Sequence, residues 1–151
     1  MDYDESYMLT HDIDWFCIVN GVYVHLASAG GLLPVGFRDR EALRTLQCNV
    51  SVLSYMFEVD DIAVNEVFLN QRFDDNPKGR EAYLVSFVDM ARKGFVSLDR
   101  TNLTDPYDNR YHVVCRPRNG VERNIFGCME VPALSREKIV ELGLNPLLQI
   151  E

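Results

Sequence analysis

Histidine and cysteine are few and far apart in this chain of 151 residues, and that spacing excludes several chemistries at once. The three histidines, His11, His25 and His112, form no His-Glu-x-x-His or His-x-His pattern. The four cysteines, Cys17, Cys48, Cys115 and Cys128, contain no Cys-x-x-Cys pair, so zinc-ribbon and dithiol redox signatures are missing. No Gly-x-Ser-x-Gly elbow and no Walker lysine occurs, which removes the familiar hydrolase and nucleotide-binding motifs. No cofactor or metal-ligating set is expected. No apolar run approaches the length of a membrane span, and Met1-Asp2-Tyr3-Asp4-Glu5 has the wrong charge for a signal-peptide n-region. The expectation is a soluble, cytoplasmic protein with reduced and mostly buried cysteines.

What is present suits one folded domain over 1–151. With 47% hydrophobic and 25% charged residues, the chain can bury a core and lies outside the signature of disorder. The formal charge of -8 argues against an unaided nucleic-acid or anionic-membrane binder, because both need cationic surface. That charge is uneven: residues 1–75 carry 4 basic and 13 acidic side chains, whereas residues 76–151 carry 11 and 10. No internal repeat or low-complexity stretch interrupts the chain.

Local signals point to an α+β fold. Asn20-Gly21 separates Ile13–Val19 from Val22–Ala27, and Asn-Gly supplies the positive φ angles of a two-residue hairpin. In that register Trp15 faces Leu26, Phe16 faces His25 and Val19 faces Val22. Asp39 caps a helix whose stripe is Leu43, Leu46, Val50, Leu53 and Phe57, with a shorter helix followed by a strand as the alternative. A strand is expected near Val67–Arg72. Asn76 and Pro77 open a second helix that closes at Gly94, and Ser135 opens a third that ends at Gly143. Phe95–Asp99 and Tyr111–Arg116 read as strands, and Asn119-Gly120 turns the latter back into Val121–Met129, with Pro117 opposite Glu122. The expected object is a largely antiparallel sheet built from two Asn-Gly hairpins plus one or two further strands, with about three helices packed on one face.

Two constellations stand out. On the less apolar face of the first hairpin Asp14 and His25 are diagonal neighbours, with Asp12 two residues away. A carboxylate beside an imidazole orients the ring and raises its basicity, as a general base requires. The alternative is a sheet histidine packed on Phe16 and Tyr23 that bonds Asp14. In the second hairpin Arg116 faces Arg123, with Arg118 near the turn and Arg110 at the base; opposed like charges are relieved by an anion or an acidic partner. The alternative there is a solvated edge. Gly30-Gly31 follows a strand as a phosphate loop does, yet without a following Gly-Lys-Ser/Thr it reads as a chain reversal. Asp60-Asp61, Asp74-Asp75 and the loop at 105–109 lack calcium-loop spacing and read as turns and caps.

Two functions follow as expectations. The first is a non-enzymatic interaction or regulatory domain whose partner is another protein or its own copy. The second is a small hydrolase-like enzyme or small-ligand binder that uses Asp14 and His25 in a pocket between sheet and helices. A cleft reaching both residues favours the second; a flat apolar patch favours the first.

Overall fold

The computed structural model describes residues 1–119 and 131–144. In chain order the elements are α1 (Glu5–Thr10), β1 (Asp14–Val19), β2 (Val22–Ala27), α2 (Arg40–Ser51), β3 (Ile62–Val64), α3 (Glu66–Phe73), α4 (Pro77–Arg92), β4 (Val96–Arg100), β5 (Tyr111–Pro117) and α5 (Arg136–Glu141). The five strands form one sheet in the order β1-β2-β4-β5-β3.

β1 and β2 pair antiparallel with Val19 opposite Val22, Trp15 opposite Leu26 and Phe16 opposite His25. Asn20 and Gly21 between them have φ of 52° and 82°, the left-handed conformation a two-residue turn demands. The sheet is mixed, not largely antiparallel, because β2 and β4 run parallel with His25 beside Ser97. The cause lies in connectivity. The chain leaves β2 and returns to β4 through α4, and a helix that carries the chain back across the sheet delivers the next strand in the same direction. No local turn signal encodes that step.

Helices are also more numerous than expected. α3 occupies the stretch read as a strand: Asn65 accepts from the Phe68 amide at 3.2 Å, Glu66 sits in the first turn, and Leu69 is its buried contact. An N-cap and a first-turn acid outweigh the β propensity of Val67 and Phe68. α2 starts after Asp39, which accepts from the Ala42 amide at 3.1 Å, and stops at Ser51. The residues beyond it form no strand before β3; instead the amides of Met56 and Phe57 both donate to the Arg92 carbonyl. α4 is capped by Asn76 with Pro77 in the first turn, and Gly94 follows at φ 108°. Ser135 caps α5, and Leu144 is buried beyond Gly143.

Both faces of the sheet are covered. Every residue of β4 is buried, and so are five of the six in β2, as expected of central strands covered on both sides. α4 covers the face that carries His25, Ser97, Asp99 and Val114, where Phe87 lies 6.0 Å from the His25 ring. On the opposite face Trp15 stands edge-on to Phe37 at 5.2 Å and to Tyr111 at 6.0 Å, and its indole N–H donates to the Tyr111 hydroxyl. The outer edge of β1 is closed at Ile18, whose amide donates to the Pro132 carbonyl while its carbonyl accepts from Leu134, both at 2.9 Å. At the other edge β3 takes the places beside Pro117 and Arg116, pairing them with Ile62 and Ala63. The expected return strand Val121–Met129, including Glu122, lies outside the described residues.

Among the described residues no helix is long and apolar enough to cross a membrane.

Candidate ligand-binding cleft

The hairpin register places Asp14 and His25 on one face, and the parallel pairing adds a residue that sequence spacing left unmarked. His25 Nε2 lies 2.8 Å from Asp14 Oδ1, and His25 Nδ1 lies 2.6 Å from Ser97 Oγ. The carboxylate can only accept, so Nε2 carries the proton toward Asp14, and the second ring nitrogen bonds the Ser97 hydroxyl. The three groups form a chain running from the core outward.

Its direction is opposite to that of a general base oriented by a buried acid. The His25 side chain is 1% exposed and that of Asp14 is 51% exposed; Ser97 is buried completely. Both imidazole nitrogens are occupied inside the protein, and the group presented to solvent is the carboxylate. His25 therefore lies between a buried hydroxyl and a half-exposed carboxylate, with both ring nitrogens bonded within the protein.

Asp14 opens onto a cleft of about 690 Å³. His25 does not line it. The wall from α2 is polar because Arg44, Gln47 and Ser51 recur at helical spacing on one face. Gln47 Nε2 donates to the Asp14 carbonyl at 2.8 Å, tying that wall to β1. The opposite wall comes from the end of α4, where Lys93 lies 3.3 Å from Asp89 and 3.4 Å from the Ser51 carbonyl. The Tyr55 hydroxyl also donates to Asp89, and the Arg92 guanidinium lies 3.8 Å over the Tyr55 ring. Charges on this side thus satisfy one another. Tyr3 and Tyr7, stacked with centroids 4.9 Å apart, contribute aromatic surface.

Three groups on the cleft keep valences to spare. Asp12 Oδ1 accepts from the Ala29 amide at 2.9 Å, and Oδ2 has no protein donor among the described residues. Asp14 Oδ2 is likewise uncommitted. The exposed Arg44 guanidinium makes no hydrogen bond or ion pair among the described residues. Arg44, Gln47 and the tyrosines escape sequence reasoning; the helical spacing of residues 44, 47 and 51 is the signal that marks the α2 side chains. No cluster of three or more metal-ligating side chains occurs among the described residues.

A second polar cluster lies farther along the same face. The Tyr83 hydroxyl donates to Asp99 Oδ2 at 2.5 Å and the Arg100 amide to Oδ1 at 2.9 Å. Burial pushes the Asp99 carboxyl above the usual range, and the Tyr83 bond opposes the shift. His112 bonds Thr101 Oγ1 through Nδ1 at 3.0 Å and lies 3.9 Å from the Phe68 ring, while its buried Nε2 has no partner among the described residues. Burial, and next the Arg72 charge, lower the His112 pKa from 6.5 to about 4. The unfolded chain therefore takes up a proton near the ordinary value that the folded chain refuses, so His112 withdraws stability as pH falls across that window. His112→Gln should flatten the loss of stability between pH 6.5 and about 4 relative to the parent; urea unfolding at several pH values measures it. Asp99 has the opposite sign but is common to both proteins, so the difference isolates His112.

Among the described residues Arg110, Arg116 and Arg118 stand at separate places. Arg110 is engaged by Asp108, Nε to Oδ1 at 2.9 Å and Nη2 to Oδ2 at 2.7 Å, and this pairing holds the Asp108 carboxyl well below the usual carboxylate range. Arg116 is half-buried at the far end of β5, with Nε 3.4 Å from the Pro117 carbonyl. Six strand positions separate it from Arg110, about 20 Å of extended chain. Arg118 is exposed, with Nε 3.3 Å from the Asp60 carbonyl. Arg123 lies outside the described residues.

The Gly30-Gly31 turn serves a cation. Arg100, only 2% exposed, donates from Nε to the Ser28 carbonyl and from Nη2 to the Ala29 carbonyl, both at 2.8 Å. Nη1 donates to the carbonyls of Asn102, Asp105 and Asp108. One guanidinium thus joins the loop after β2 to the loop after β4. The amides of Gly30 and Gly31 are spent on the His11 and Ser28 carbonyls, leaving no amide nest for phosphate.

Comparison with family models, with curated proteins and with solved structures finds no match to this chain.

Proposed function

We propose that this chain is a non-catalytic binding domain of the regulatory kind whose cleft captures a small ligand, with Asp14 as the fixed acceptor for a cationic amine on it. The observation that carries the reading is the direction of the Ser97–His25–Asp14 chain. Two buried polar side chains are committed to holding one carboxylate, and that carboxylate is the half-exposed group at the cleft. A group fixed in this way binds without the entropy cost of being ordered by the ligand.

Charge favours a cation. Once Lys93 and Asp89 are paired, the uncommitted groups are the carboxylates of Asp12 and Asp14 against the single guanidinium of Arg44. An ammonium has three donors to share between the two acids. Turnover by a serine nucleophile finds no support, since the Ser97 hydroxyl is sealed behind His25.

The test is a titration with hexylammonium followed by amide nuclear magnetic resonance. In the parent, amides of residues 12–16 should shift with saturation. Asp14→Asn keeps an oxygen for His25 to bond and removes the charge; it should weaken binding by about tenfold or more, since a bond between charged groups contributes about 1.5–3 kcal/mol. A parent spectrum that shows no shift at these residues overturns the reading.

A further inference from the structure

We propose that the solvent face of α4 is a docking surface for a second copy of this chain, the two helices packing antiparallel about a two-fold axis. The proposal does not depend on the reading of Asp14 as an amine acceptor.

One side of α4 is spent on the sheet, through Phe87 and Ala91. On the other side Lys78, Glu81, Ala82, Val85 and Ser86 are exposed, Val85 by 66%. Beside them runs a groove of about 460 Å³ lined by Tyr55, Val85, Ser86, Val88, Asp89 and Arg92, and the Tyr55 ring at its rim is half-exposed. The charge pattern names the occupant. Residues 74–93 carry four acids and four bases in a chain of net charge -8, so this stretch lacks the surplus acid that would repel a second copy. The signs are also ordered: Asp74 and Asp75 precede the helix, and Arg92 and Lys93 close it. A parallel pair would set like charge on like. An antiparallel pair with its axis between Ala82 and Val85 sets Lys78 opposite the partner's Asp89, Asp75 opposite the partner's Arg92 and Val85 opposite the partner's Ala82, an isologous contact in which each residue is used twice. Lys78 is the telling residue. It stands in the first turn, where the macrodipole favours an acid and α4 has none, and it makes no hydrogen bond or ion pair among the described residues. A cation there does nothing for its own helix and answers an acid on a second one. Asp89 accepts from Tyr55 and lies 3.3 Å from Lys93, yet a carboxylate has about four acceptor sites, and this one is a third exposed. The groove beside Val85 then receives the partner's Ala82, whose single methyl lets the two helices approach closely.

Sedimentation equilibrium of the full chain should show a monomer–dimer equilibrium. Val85→Arg brings two like charges together beside the axis and should leave only monomer; Val85 is exposed, and an unchanged melting temperature verifies that the variant is folded. Lys78→Glu separates the contact from the helix itself. An acid in the first turn suits the macrodipole, so the monomer should melt no lower than the parent, whereas two symmetry-related contacts turn from attraction to repulsion and the dissociation constant of the dimer should rise by about tenfold. A parent that stays monomeric up to about 1 mM overturns the proposal. So does a dimer that either Val85→Arg or Lys78→Glu leaves as tight as the parent's.

Discussion

Arg100→Met is expected to cost about 3–5 kcal/mol of folding stability, the range for removing a buried charged hub from its partners. Methionine fills similar volume but donates nothing to the five carbonyls that converge on the guanidinium. Those carbonyls belong to two loops, and without the cation they would face one another across a site too enclosed for bulk water. Lysine would keep the charge, yet one ammonium has three donors and cannot reproduce a planar fork that reaches both loops at once. Urea unfolding gives the loss directly, and the slope of free energy against urea tells whether the loops have also loosened in the folded state. A loss below about 1 kcal/mol would mean that the loops hold without the clamp. Gly31→Ala approaches the same point from the other side. A Cβ there lies 2.5 Å from Arg100 Cδ and Nε and 3.1 Å from the Ser28 carbonyl, and a side chain held by five bonds cannot step aside cheaply. The two substitutions should be less than additive, since each spoils what the other needs.

His25→Leu is expected to lose about 2–4 kcal/mol and to weaken amine binding by about tenfold or more, two effects with separate causes. The stability loss comes from the Ser97 hydroxyl, left buried without its acceptor, and from imperfect filling of the space against Phe87 and Phe16. Adding Ser97→Ala should restore part of it, because replacing both buried partners by apolar groups is milder than orphaning one. The binding loss should persist in the double variant, since Asp14 still lacks the donor that fixes its carboxylate. Chemical denaturation and the hexylammonium titration read the two effects independently. If amine affinity recovers along with stability, His25 is a structural residue of the sheet and not a positioning residue for the cleft.

The features legible in the sequence are those encoded within a few residues. Asn20-Gly21 specifies its turn by backbone sterics, and with it the diagonal approach of Asp14 and His25. Asp39, Asn76 and Ser135 mark helix starts because each can satisfy an orphan amide two or three residues ahead. Features that depend on chain crossing are not legible. Ser97 reaches His25 across 72 positions, and nothing near either residue announces the parallel pairing that joins them. The strand expected at Val67–Arg72 is a helix because the Asn65 cap overrides the β propensity of its apolar residues. Nor does local spacing announce that β3 supplies Ala63 as a neighbour of Arg116. Sequence shows that Asp14 and His25 are adjacent but not which of them is buried, and the structure buries His25 while leaving Asp14 half-exposed.

The parallel pairing of β2 with β4 also orders events in time. The first hairpin closes over two residues and belongs to microsecond processes, whereas joining β2 to β4 must await closure of a long loop and the docking of α4. Until then the hairpin can bring Asp14 and His25 together, but no Ser97 hydroxyl bonds Nδ1 and the end of α4 has not arrived to form the second wall. A chain halted at the hairpin stage would hold the pair and lack the cleft, so ligand capture should switch on with the final cooperative step of folding and serve as its clock.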